Sequence, residues 1–240
     1  MNLLPTPEQQ ELVAAATRFL AAGRPASGSA AAGHQAGDET RWREMARLGW
    51  FAIGVPAADG GAGGSIADQA LLFRELGRAL VPGPLLGTVL GSALAIAGGR
   101  EDLGRSLMAG ETRAGLAEPW RDPSAGVSDV TGVTGSFRIL DAEAGDLVSC
   151  LTPDGAALVA AGAVREVAHR LSAPDPSVPV SLARLDGIAP EVVVTGAEPA
   201  SRLAAHGQVL VATLLVGILE AVRDMSVTYA CTREQFGRPI

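Results

Sequence analysis

The sequence predicts an α+β multidomain chain, and three observations carry that prediction. Residues 1–110 show helical periodicity between helix-start and helix-stop signals. Residues 111–198 change to short Val- and Leu-rich runs split by Gly, Pro and Asp, the pattern of an antiparallel β domain. Residues 199–240 return to one long apolar helix, expected to open a C-terminal helical domain that this sequence truncates. The predicted domains are therefore 1–110 helical, 111–198 β, and 199–240 the first helix of a bundle.

The opening helix is signalled by Thr6 as N-cap, Pro7 at the first helical position and Gln9 or Gln10 in the first turn. Leu12, Val13, Ala16, Phe19 and Leu20 then share one face. Residues 23–39 are small, polar and Gly-rich, so they read as a loop, with helix resuming at Thr40. FAIGVP (51–56) reads as short and extended. AADGGAGGS (57–65) is a Gly-rich run before a helix, which raises a phosphate-loop reading. It lacks the G-x-G-x-x-G register and any Lys, so it is expected to be a turn capped by Ser65. Residues 84–98 and 101–109 read as further helices. In the last segment Val209, Ala212, Val216, Leu219, Val222, Ser226 and Tyr229 form a stripe at 3–4 spacing, along a helix of about 28 residues and 42 Å. Such a stripe needs helical neighbours. Gly237 and Pro239 supply a stop and a turn.

Composition narrows the function. The chain is 48% hydrophobic and carries a net charge of −7, so it is globular and has no basic face for nucleic acid. All 19 basic residues are Arg, which excludes a Schiff-base, Walker or general-base lysine. Cys150 and Cys231 form neither a disulfide framework nor a zinc spacing, which suits a reducing cytosol. The N-terminus lacks a signal-peptide pattern, and the apolar run 209–219 is too short to span a bilayer. A cytoplasmic protein without a membrane anchor is expected.

Four stretches carry a family resemblance: TPEQQEL at the start, LGWFAIGVPAADGGAGGSIADQALLFRELGRAL (48–80), GLAEP (115–119) and REQFGRPI at the end. In this order they resemble the acyl-CoA dehydrogenase family over essentially the whole chain. The resemblance implies N-terminal helices, a middle β-barrel-like domain and a C-terminal four-helix bundle. It implies FAD, an acyl-CoA substrate, and α,β-dehydrogenation of the thioester in fatty-acid or sterol side-chain catabolism. It further implies a homo- or hetero-oligomer sharing FAD across a dimer interface, with an electron-transfer flavoprotein as acceptor. Arg233, Gln235 and Phe236, with Gly237, match the positions that contact FAD across that interface. Arg suits a pyrophosphate because its fork binds phosphate bidentately.

The chain also departs from the family. Ala117 stands where the flavin-side strand has Thr or Ser before Glu-Pro. The Gly-Ser-Asp that should follow is displaced to Ser128 and Asp129. Phe137, Ile139 and Asp141 replace the usual Lys and Trp-x-Thr, and Trp120 is a candidate shield for a flavin face. Most members carry the catalytic Glu beyond Ile240; a minority carry it at a place that falls on Gly207. Glu220 is a carboxylate on the same helix, with an ion pair to Arg223 as its simpler reading. His34, His169, His206 and Ser128 read as solvated or structural. No catalytic base is assigned, and two further readings stand beside the enzyme: a non-catalytic subunit of a heteromeric acyl-CoA dehydrogenase, and an inactive truncated fragment.

Overall fold

A computed structural model describes residues 4–22, 36–173, 175, 177–236 and 238–239. In chain order, α1 (Pro7–Ala22), α2 (Ala36–Arg47), α3 (Ile66–Ala79), α4 (Leu85–Ala97) and α5 (Glu101–Met108) come first. Then follow β1 (Ala114–Pro119), β2 (Gly126–Ser128), β3 (Gly132–Leu140), β4 (Leu147–Thr152) and β5 (Gly155–Ala160). α6 (Ala161–Val167), β6 (Ala168–Arg170), β7 (Val180–Ile188) and β8 (Pro190–Thr195) lead into α7 (Ala197–Thr232) and a hairpin of β9 (Glu234–Gln235) and β10 (Arg238–Pro239). Contacts divide the chain into two compact units. One comprises Met1–Ala26, Ala67–Val81 and Val209–Ile240; the other comprises Ser27–Ile66 and Pro82–Gln208.

In the first unit, α1 starts on the expected cap. Thr6 Oγ1 accepts the Gln9 amide at 3.3 Å, and Gln9 Oε1 accepts the Thr6 amide at 3.0 Å. Ala16 and Leu20 are the buried members of its predicted face. α3 and α7 meet backbone to backbone. A Cβ on Gly77 would lie 2.1 Å from the Leu214 carbonyl oxygen, and one on Gly217 would lie 1.9 Å from that of Arg74. α7 is longer than the sequence suggested, at 36 residues or about 54 Å. By length and composition it suffices to cross a membrane, which corrects the shorter estimate. Its face away from α3 leaves Leu215, Val216, Leu219, Val222, Met225 and Tyr229 exposed.

In the second unit an 8-stranded sheet runs β6-β7-β3-β1-β4-β5-β8, with β2 on β3. The expected antiparallel pattern holds except for β1 and β4, which pair in parallel. α4 lies on one face with Leu94, Ala95, Leu147, Ala156 and Leu158 in a shared cluster. The opposite face buries Ala117, Phe137, Ile139, Val148, Cys150, Ala157 and Val159 with Ala161 and Val164 of α6. Ala161–Val167 is thus helical, inside the region 111–198 that the sequence predicted to be β. Helix α2 begins at Ala36, four residues earlier than read from the sequence. The rest of that loop, including His34, lies outside the described residues.

FAIGVP is a series of turns, not a strand. Phe51, Ile53 and Val55 are buried alternately, which mimics strand periodicity, but Ala52 N donates to Gly49 O and Val55 N to Ala52 O. The Gly-rich run then folds back on these turns. The amides of Gly61, Ala62, Gly63 and Gly64 donate to Pro56, Ala52, Val55 and Ile53 carbonyls, so none of the four is left to cradle a phosphate.

The helix crossing in the first unit gives a direct test. Gly217→Ala is expected to lower unfolding free energy by about 2–4 kcal/mol, because the methyl group meets backbone that cannot move aside. Urea denaturation of the variant and of an exposed-site control, Ala212→Ser, checks it.

Candidate functional site

The predicted cofactor contacts cluster at the end of α7. Arg233 follows the last helical turn, its amide donating to Tyr229 O at 2.8 Å. Glu234 and Gln235 then pair with Pro239 and Arg238 in the hairpin. Phe236 sits at its turn with φ +53° and is fully exposed. Gly237 lies outside the described residues. Arg233 and Gln235 are also exposed. The result is a projecting hook that offers a guanidinium, a primary amide and an aromatic ring to a partner. That donor set fits a dinucleotide: Arg for the pyrophosphate, Phe for a planar base, Gln for a polar edge.

Ala117 is placed differently. It pairs with Ile139 on β3 and with Cys150 on β4, and its methyl is fully buried among the core residues of that face. Phe137 and Ile139 point into the same core. On the other side of these strands Glu118 and Arg138, cross-strand partners, form an ion pair. The Arg138 and Arg121 guanidinium carbons lie 4.9 and 5.2 Å from the centroid of the half-buried Trp120 ring. Ser128 Oγ accepts the amides of Val130 and Thr131, so it is a turn residue. His169 is an exposed strand residue of β6, and burial pushes the pKa of His206 down.

Neither of the two α7 positions considered for a base, Glu220 and Gly207, presents a free carboxylate. Glu220 binds Arg74 at 2.8 and 3.0 Å and Arg78 at 3.1 Å, which lowers its pKa chiefly through the Arg74 hydrogen bond. The ion-pair reading is right and its partner wrong: Arg223 pairs with Asp224 instead. Gly207 is buried against α4, where a Cβ would meet Leu90 Cδ1 at 3.1 Å. No acidic side chain fits there without moving Leu90.

Asp141 is the residue whose environment the sequence did not reveal. It follows the end of β3 with φ +58°, and its amide donates to Pro179 O at 3.0 Å. Burial pushes its pKa up to about 6. The loop around it is fixed by Arg165 Nη1, which donates to the carbonyls of Ala142 and Gly145 at 2.8 and 2.9 Å. Strain and desolvation at one residue mark a position held by its surroundings.

Comparison with known proteins identifies the chain. The profile of the acyl-CoA dehydrogenase N-terminal domain matches residues 6–108. Acyl-CoA dehydrogenase FadE34 of Mycobacterium tuberculosis is 34% identical over 216 residues, covering 87% of this chain and 29% of its own length. Acyl-CoA dehydrogenase IpdE2 of the same organism is 30% identical over 238 residues, covering 98% of this chain and 67% of its own. The ChsE4–ChsE5 complex of that organism shares the fold with a TM-score of 0.80 at 23% identity, over 100% of this chain and 71% of the matched chain. A glutaryl-coenzyme A dehydrogenase in complex with glutaryl-CoA gives 0.74 at 19%, over 100% and 70%. The fold is that of a helix–sheet–helix dehydrogenase scaffold. The chain belongs to the acyl-CoA dehydrogenase family, and it spans less than a third of the first relative and about two thirds of the second.

Two predictions follow from the carboxylates. A folded-state pKa of about 6 for Asp141, above its unfolded value, means that folding favours the protonated acid. Its stabilising influence is complete below about pH 4 and lost as pH rises through about 6. Asp141→Asn, which keeps the left-handed backbone accessible, is expected to stabilise the protein by about 2 kcal/mol at pH 7.5 and by nothing at pH 3.5. Thermal melts across that range check it. Glu220→Gln is expected to cost about 1–2 kcal/mol, by leaving Arg74 and Arg78 with weakened partners. Comparison with Glu198→Gln, on an exposed pair with Arg202, isolates the effect.

Proposed function

We propose that this chain serves FAD-dependent α,β-dehydrogenation of an acyl-CoA thioester, of the fatty-acid or sterol side-chain type. The observation that carries the reading is the exposed Arg233–Gln235–Phe236 hook, present on a family scaffold. Bound FAD would supply the two-electron acceptor that carbon–carbon desaturation requires. The hook's part is to hold and orient that cofactor across a subunit boundary in a homo- or hetero-oligomer. Residues 1–110, 111–198 and 199–240 are assigned as its helical, β and C-terminal helical parts. Electron-transfer flavoprotein is the proposed acceptor. A cytoplasmic location is proposed from Cys150 and Cys231, which are both free thiols.

A second reading is favoured by Glu220 and Gly207. With one locked between arginines and the other closed by Leu90, neither of these two positions offers a free carboxylate. This supports a non-catalytic subunit whose partner brings the carboxylate.

The test is the visible spectrum of the protein purified with added FAD, alone and co-expressed with a family member that carries a catalytic Glu. Flavin absorbance in the assembly is expected, with Arg233→Ala weakening FAD affinity by about tenfold or more. Absence of flavin from every assembly overturns the proposal. Desaturation of acyl-CoA by the chain alone rejects the second reading in favour of a self-sufficient enzyme.

A further inference from the structure

We infer that the β unit of this chain is closed to a flavin by the chain's own α6, so that the subunit contacts FAD through its hook alone. The inference rests on the second reading above and sharpens it into a division of labour between subunits.

The β-unit positions implied for the cofactor do not fit one. Ala117, Phe137 and Ile139 are 0%, 0% and 1% exposed, and they face a core already filled. Val164 and Ala161 of α6 complete that core at 0% exposure each. α6 is not loosely placed. Its first amide, Ala161 N, donates to Asp146 O at 2.9 Å. Arg165, near its other end, donates to the carbonyls of Ala142 and Gly145. Both ends are therefore tied to the β3–β4 connection. A hydroxyl placed at residue 117 would be buried among methyl groups, with no ring to meet it.

The reverse side of the same strands is also committed. α4 packs so closely on β1 that a Cβ on Gly87 would lie 2.2 Å from Ala114 O. Beyond α4's reach, Glu118 is held by Arg138 and the Trp120 ring is attended by Arg138 and Arg121. Inserting a three-ring cofactor there would break a salt bridge and two cation–π contacts. At the hook, Arg233, Gln235 and Phe236 are all exposed.

Hydrogen exchange with and without FAD, on the chain alone and in the co-expressed assembly, reads the location directly. Flavin protection is expected at 233–236 in the assembly, with exchange at 114–121, 137–141 and 161–167 unchanged. Cys150, on the closed face, should remain equally unreactive toward a thiol reagent with or without FAD. Flavin content should be one per pair of unlike subunits. Slowing of exchange at 114–121 or 137–141 by about tenfold on adding FAD, or two flavins per pair, overturns the inference. An assembly that carries no flavin overturns the functional proposal but leaves the β unit closed, so the two failures are distinguishable.

Discussion

The contact between α4 and β1 is the constraint on which the larger unit depends. Gly87 lets the helix backbone rest on the strand backbone, with the Ala114 and Gly115 carbonyls 2.2 and 2.5 Å from where a Cβ would be. Thr88 Oγ1 accepts the Ala114 amide at 3.1 Å, and Ser149 Oγ donates to Gly87 O at 3.0 Å. Buried hydroxyls are tolerable there because each has a partner. This contact fixes β1 at the centre of the sheet, between β3 and β4. It also explains why residue 114 is Ala: its methyl faces α4, where a Cβ on Gly91 would already lie 3.3 Å away, and a larger side chain would lift the helix off the strand.

A central strand under a helix on one face needs a cover on the other. β4 and β5 show the consequence, for they are buried along almost their whole length. Leu147, Ala156 and Leu158 face α4, while Val148, Cys150, Ala157 and Val159 face α6. Burial on that second face also pushes the Cys150 thiol up to about 12, which makes it a core residue without nucleophilic character. The packed core that fills this face is therefore the same feature that gives the sheet its second layer.

Local signals were legible in the sequence and long-range ones were not. The Thr6–Gln9 box, the helices α4 and α5 and the length of the β region follow from spacing within a few residues. FAIGVP misleads because alternating burial of Phe51, Ile53 and Val55 also arises in consecutive turns. α6 misleads because seven residues are too few to show helical period, and its stability comes from Arg165 reaching loop carbonyls some twenty residues away. Glu220's partners lie on α3, so the nearer Arg223 attracted the assignment. At the candidate site, the hook residues were readable as a motif. The closure around Ala117 was not, because it depends on α6 being a helix.

The charge network on α7 has a consequence for the hook. Successive helical residues turn by about 100°, so the direction in which residue 233 leaves the helix depends on how α7 is rolled about its axis. Glu220 and Asp224, one turn apart, grip Arg74 and Arg78 on α3. The glycines at 77 and 217 bring the two backbones too close for either helix to rotate past the other. Ion pairs of this exposure contribute little stability singly, but as a set they distinguish one roll angle from its neighbours. The hook starts thirteen residues beyond Glu220, about 20 Å along the axis. A slip of one residue at the α3 contact would turn Arg233 and Phe236 away from whatever they meet. The Glu220 carboxylate is better understood as the element that aims the hook at the end of the helix.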